Sequence, residues 1–339
     1  MKQALSNIKV IDFTQVLAGP FASQQLALLG ADVIKIEPPG FGDQSRLVVS
    51  EKSKGEPVLY LCANSGKRSM ILNLKKPEAN TIIQRLTERA DVIIENFRPG
   101  VMKKLGLDYE TISGINPRIV YCSLSGYGQE GPYNTNAAFD PVIQAECGLM
   151  SMTGFPETGP VRTGFPISDT AAGLMASFAI ASALFRREWS GQGQYLDVSM
   201  MDSMITLQSS AVFTYLHTGL KPALEGNGSH TGLPTMNTYT TKDSYIQISF
   251  YSDAHYEKMC ELISRPDLVE DDRFNSVAGR QKNAATLSAE ISQAFAVKDT
   301  QTWLDLFLNA KLPAGMVRDV EEVVNHPQLK HRDLIMELP

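Results

Sequence analysis

Short β-branched runs alternate with apolar helical stretches along the first 125 residues, and proline or glycine marks each change of period. Ile8–Phe13 (IKVIDF) reads as a strand. Gly19-Pro20 then opens the apolar helix FASQQLALLG, which stops at Gly30, and Ala31–Ile36 (ADVIKI) reads as a second strand. Proline in a first helical turn loses no hydrogen bond, and glycine ends a helix at no steric cost. Strand, helix, strand in that spacing is a parallel crossover. The pattern recurs: Arg68–Leu74 as a strand, Pro77–Ala90 as an amphipathic helix, then Asp91–Glu95 and Arg118–Ser123 as strands. Repeated crossovers predict an α/β fold, a parallel sheet with ligand loops at the C-terminal ends of its strands.

Further along, the sequence predicts a helix over Ala171–Arg187, a strand over Tyr195–Ser199 and one long helix over Met201–Gly219. Pro222–Pro234 is rich in Gly, Ser and Pro and reads as a linker. The texture then changes to a hairpin over Tyr239–Phe250 and helices at Ala254–Ile263, Thr286–Ala296 and Thr300–Leu308. A chain of 339 residues exceeds one ordinary core. The reading is therefore a large domain with a Rossmann-like parallel sheet over 1–224 and a smaller α+β domain over 225–325.

With 43% hydrophobic and 20% charged residues, the composition is that of a globular enzyme. The net charge of −6 and the lack of any Lys/Arg run argue against a nucleic-acid partner. Cys62, Cys122, Cys147 and Cys260 stand far apart, which argues against a zinc site or a disulfide framework and fits a reducing cytoplasm. The stretch Met1–Val10 has no apolar core of a signal peptide, and Ala171–Leu184 ends at Arg186-Arg187, so no membrane partner is expected.

Several motifs are tested against their physical requirements. Gly126–Gly131 fits G-x-G-x-x-G, but a dinucleotide site also needs a helix opening at the glycines, and Pro132, Asn134 and Asn136 follow instead. A nicotinamide oxidoreductase thus remains only a rival reading. Ser65–Ser69 resembles a fragment of a P-loop without its first glycine, leaving Lys67 or Arg68 as phosphate contacts or as a basic turn. No pair of histidines has metal-ligand spacing, so no metal is expected, and there is no G-x-S-x-G elbow. Asp169 lies near the expected N-cap of the helix that follows Pro166. Two readings stand open: a cap bonding free amides, or a nucleophile whose anion the helix terminus favours. Lys75, Arg98, Lys103 and Lys104 are either solvated surface or cations for phosphates.

Seven segments together resemble the class III CoA-transferases, relatives of formyl-CoA:oxalate and carnitine CoA-transferases. They are DFTQVLAGP (from Asp12), GADVIKIEPPGFGDQSR (from Gly30), NSGKRSMILNLK (from Asn64), ADVIIENFRPG (from Ala90), SGYGQEGP (from Ser125), PISDTAAG (from Pro166) and GQGQYLDVSMMD (from Gly191). The resemblance runs from residue 8 to about residue 325. It implies that Asp169 is the catalytic carboxylate, passing through a mixed anhydride and an aspartyl-CoA thioester. It implies that Gln15, Leu17 and Ala18 line the thiol end of coenzyme A, and that Leu72, Lys75, Asn96, Phe97 and Lys104 surround its nucleotide and pantetheine, with Arg98 beside them. Gly126, Tyr127, Gly128 and Gln144 are then expected around the acyl group, and Gly226 and Gly228 in a mobile loop near it. The implied partners are an acyl-CoA and a small organic acid, together with a second copy in an interlocked homodimer. Residues 326–339 would begin a segment returning to the large domain. Two rivals are an α-methylacyl-CoA racemase and a non-catalytic acyl-CoA-binding protein. The racemase histidine falls in the segment matched by Ala138-Phe139-Asp140, where Phe139 has no proton to move.

Overall fold

In the computed structural model, residues 3–49 and 54–335 are described; the last four residues of the expected returning segment lie outside them. Two compact units appear: residues up to Leu224, except for Phe155–Thr158, and a second unit of Phe155–Thr158 with the chain from Glu225 onward.

The first unit is built on six parallel strands. They are β1 (Lys9–Asp12), β2 (Asp32–Glu37), β3 (Arg68–Ile71), β4 (Val92–Glu95), β5 (Val120–Ser125) and β6 (Gln194–Ser199). Their spatial order is β3-β2-β1-β4-β5-β6, and every pairing is parallel. The helices are α1 (Ala18–Leu28), α2 (Val58–Asn64), α3 (Pro77–Thr87), α4 (Val101–Lys104), α5 (Tyr109–Ile115), α6 (Asp140–Glu146), α7 (Ile167–Ser190), α8 (Met200–Leu207) and α9 (Ser209–Thr218). Alternate residues along each strand feed two cores. Val10, Val92, Ile94, Cys122 and Leu124 face α1 and α7. Ile11, Phe13, Ile93 and Tyr121 join Ile83 of α3 and Ile112 of α5. Period-2 alternation on a sheet covered on both sides requires this split.

Helix α7 is long and apolar enough to cross a membrane by length and composition. Its buried face (Ala172, Ala176, Ile180, Ala183) is inside the core, and buried Arg187 pairs with Asp91 at 2.9 Å. Gly173 lets α1 approach: a Cβ there would sit 2.8 Å from the Ala18 carbonyl and 2.8 Å from the Phe21 ring. The expected single helix over Met201–Gly219 is instead α8 and α9, broken at Gln208. Its side-chain amide shares the Met204 carbonyl with its own backbone amide, both at 3.0 Å, and reaches across to the Cys147 carbonyl at 3.4 Å.

The second unit is α+β. An antiparallel sheet orders Ala314–Met316, Tyr245–Ile248 and Thr238–Thr240, and the third strand is one the sequence reading did not include. Phe250, Phe295, Trp303 and Phe307 fill its core, and the Trp303 indole donates to the Phe295 carbonyl at 2.8 Å.

Candidate active site

The strand order reverses direction between β1 and β4. Loops leaving adjacent strands at such a point diverge, and a crevice opens beyond the carboxyl ends. Here the two loops are Phe13–Leu17 and Asn96–Pro99. A cleft of about 320 Å³ lies between them, lined by Gln15, Leu17, Ala18, Asn96, Phe97, Arg98, Gly126, Phe139 and Asp169. A second hollow of about 320 Å³ shares Gln15, Gln44 and Phe97 with it and adds Leu72 and Lys75. A larger depression of about 670 Å³ lies at the opposite end of the strands, beside Lys9, Asp32 and Arg68. Its acids, Asp32 and Glu88, are exposed, and Arg68 binds Asp32 at 2.7 Å. It therefore offers no activated nucleophile, and its greater volume carries no chemical weight.

Asp169 is not a cap. It is the third residue of α7, whose N-cap Pro166 contributes no side-chain bond. The cap is supplied from elsewhere: Asp140 Oδ2 accepts the Ser168 amide at 2.7 Å and the Asp169 amide at 3.3 Å. Asp140 is itself buried and held by Gln144, whose Nε2 donates to Oδ1 at 2.5 Å. Gln144 Oε1 in turn accepts the Thr163 amide at 2.9 Å. Among the described residues no hydrogen bond or ion pair engages the Asp169 carboxylate. Burial, and secondly the charge on Asp140, push its carboxyl up to about 7. A carboxylate with no partner, half-buried in a cleft at a helix N-terminus, is basic enough to attack and still ionised in good part at neutral pH.

Helix α1 begins on the other side of the cleft. Its N-cap Leu17 makes no side-chain bond, so its first turn is left without a cap. Pro20 has no N–H, which leaves the amides of Ala18 and Gly19 as the donors of that turn. Amides at a helix start are suited to hold a developing oxyanion.

The turn that presents them is locked from below. Asn96 Oδ1 accepts the Gln15 amide at 2.7 Å and its Nδ2 donates to the Gln15 carbonyl at 2.9 Å, so its polar atoms serve the wall of the cleft rather than a ligand. Val16 sits at φ +70°, a costly backbone for a β-branched residue. Its amide donates to Asp43 Oδ1 at 3.1 Å. Asp43 pairs with buried Lys35 at 2.9 Å, and Lys35 also donates to the Thr14 carbonyl at 2.7 Å. Lys67 is committed in the same way: buried, 3.1 Å from Asp12 and 2.8 Å from the Pro20 carbonyl. With Arg68 bound to Asp32, both cations of the Ser65–Ser69 run already have carboxylate partners. Burial lowers Lys67 to about 8, while burial pushes Asp12 up but Lys67 and Lys35 outweigh it and hold it at about 2, so both are charged at neutral pH.

The remaining expected site residues divide. Leu72 and Lys75 line the second hollow, whereas Lys104 is exposed and lines neither hollow. Gly126 lines the cleft, and a Cβ there would overlap that of Ala138. Gly128 donates its amide to Ser125 Oγ at 2.9 Å, and Tyr127 packs on Tyr133 with ring centroids 5.7 Å apart. Gln144 is spent on Asp140 and Thr163. None of these three is among the residues lining the cleft, and their polar atoms are already used or their rings are packed. Gly226 and Gly228 belong to the second unit, where Gly226 (φ +60°) lies against the Phe155 ring. Gln44, Asn134 and Asn136 also line the cleft and were not anticipated. The Asp140-Pro141 helix start was the available sign for Asp140.

The fold places an unpaired carboxylate in the crevice at its switch point, an arrangement suited to group-transfer chemistry. The sequence profile of CoA-transferase family III matches residues 5–339, and the chain belongs to that family. It is 38% identical over 337 residues to an acetyl-CoA:oxalate CoA-transferase of Acetobacter aceti, covering 99% of this chain and 86% of that protein. It is 36% identical over 335 residues to the human succinyl-CoA:glutarate CoA-transferase, covering 98% of this chain and 76% of that protein. A CAIB/BAIF family protein from Brucella suis has the same fold, with a TM-score of 0.90 at 34% identity over 98% of this chain and 88% of that one.

Proposed function

We propose that the chain moves CoA from an acyl-CoA donor to a carboxylic acid, with Asp169 as the carrier. Asp169 attacks the donor thioester carbonyl and CoA leaves as the thiolate, giving a mixed aspartyl anhydride. The thiolate attacks the Asp169 carbonyl, the donor acid leaves, and an aspartyl-CoA thioester remains. The acceptor carboxylate attacks that thioester and releases the thiolate. The thiolate then takes the acceptor acyl group, and the Asp169 carboxylate is restored. Covalent relay replaces one hard exchange by easier ones. The amides of Ala18 and Gly19 stabilise the oxyanions. The thiol end of CoA lies along Gln15, Leu17 and Ala18, and the nucleotide end along Leu72, Lys75 and Phe97. The observation that carries this reading is the unpartnered Asp169 carboxylate in the cleft.

The acids named for the relatives, oxalate and glutarate, make small dicarboxylates the acceptors we favour. Phe139, at the cleft wall, cannot relay a proton, which supports transfer over racemisation. A second copy of the chain is the partner we propose for the exposed apolar stripe of α7 formed by Leu174, Phe178, Phe185 and Trp189. The test of the chemistry incubates the protein with succinyl-CoA and a panel of dicarboxylates and follows new thioesters by mass spectrometry. Hydroxylamine added during turnover should convert Asp169 to its hydroxamate. Exchange that persists at full rate in Asp169→Asn would overturn the assignment.

A further inference from the structure

Glu95 ends β4, is 4% exposed, and has no part in the exchange steps above. Its Oε2 accepts the Phe97 amide at 2.8 Å, which turns the chain directly beyond the strand. Ser123 lies opposite it on β5, in register, and accepts the Tyr195 hydroxyl of β6 at 3.2 Å. The other groups acting on this pocket are Asp197 and Tyr195 of β6 and Cys122 and Tyr121 of β5, with Asp108 and Glu110 beyond Tyr121. None is a cation. Burial pushes the Glu95 carboxyl up to about 7, against the donors Ser123 and Phe97, and Asp197 adds to the rise.

A buried carboxyl without a cation is an expensive way to fill a strand end. What the position provides is an acceptor directly before the cleft-wall residues Asn96–Arg98. Asn96 braces Gln15 through two bonds, Phe97 is shared by both hollows, and Arg98 lines the first. One bond from Glu95 to Phe97 thus fixes the turn from which both walls hang. We propose that Glu95 is a positioning residue, whose carboxyl oxygen holds segment 96–98, and through Asn96 the Gln15 turn, in the geometry that binds CoA. This rests on reading the cleft as the CoA site.

The test combines steady-state kinetics with calorimetric titration of free CoA. Glu95→Ala should raise KM for acyl-CoA and Kd for CoA about tenfold with kcat within about threefold, since binding geometry is lost and the nucleophile is not. Glu95→Gln keeps a carbonyl acceptor for the Phe97 amide and should recover both constants to within about threefold of wild type. A purely structural role would lower the folded fraction in both variants and leave the KM of the folded enzyme unchanged. If Glu95→Ala does not fold, Glu95→Asp replaces it: its carboxyl falls one methylene short, and an unchanged KM would sink the proposal. Glu95→Gln as impaired as Glu95→Ala would also sink it. Wild-type protein that does not bind CoA overturns the cleft reading and this proposal with it; wild type that binds while Glu95→Ala binds equally well overturns the proposal alone.

Discussion

Asp169 and Asp140 share one helix terminus, and two negative charges cannot both be accommodated there without cost. Asp140 takes the amides and Asp169 is left poised. In the proposed exchange only the ionised Asp169 attacks, so kcat/KM should rise with pH through about 7 and level off above it. Asp140→Asn removes the neighbouring charge but keeps an oxygen for the Ser168 amide. Its acid limb should move to lower pH, which a pH–rate profile would read directly. Stability changes with the opposite sign. The folded value lies above the ordinary aspartate value, so ionisation opposes folding, a penalty absent near pH 3, growing from about pH 4 and complete above about 7. Asp169→Asn escapes it and should be more stable than wild type at pH 8 by on the order of 1–3 kcal/mol, with no difference near pH 3, as thermal melts at the two pH values would show. Asp169 was legible as a carboxylate at a helix start. Its freedom from capping was not, because the cap comes from a residue 29 positions upstream.

At the level of elements, the β1–α1 turn is the part most elaborately held. Val16 is kept in a left-handed backbone that costs about 1–3 kcal/mol, and the ion pairs Lys35–Asp43 and Lys67–Asp12 hold the turn in place. Lys67→Met leaves Asp12 buried without its nearest cation. That variant should lose about 3–5 kcal/mol of stability in chemical denaturation, and adding Asp12→Asn should recover part of it. The strands and their order of appearance were readable because period and punctuation are local signals. The break at Gln208 was not, because its side chain also bonds the Cys147 carbonyl, which lies on another part of the chain.

For the whole molecule, the switch point decides where chemistry is possible, since it alone joins the loops after β1 and β4 in one crevice. The outer face of the first unit carries a second feature. Leu174, Phe178, Phe185 and Trp189 recur at helical spacing on α7 and are 52%, 69%, 74% and 72% exposed. If a second copy covers this stripe, light scattering should give twice the mass of one chain, and Phe178→Glu with Trp189→Glu should shift the protein toward monomer. A wild type that remains monomeric at micromolar concentration would count against the pairing.

By itself the sequence determined the alternation of strands and helices, the glycine and proline positions that end them, and a set of motifs dense enough to place the chain in its family. Hydrophobic period and backbone restriction act over a few residues, so they can be read along a line. Only the tertiary structure decided that Asn96 braces Gln15 across 81 positions, that Lys67 pairs with Asp12, and that the cap of α7 comes from Asp140, leaving the Asp169 carboxylate free of that duty. Those outcomes depend on sheet register and on burial, and neither exists until distant segments have met.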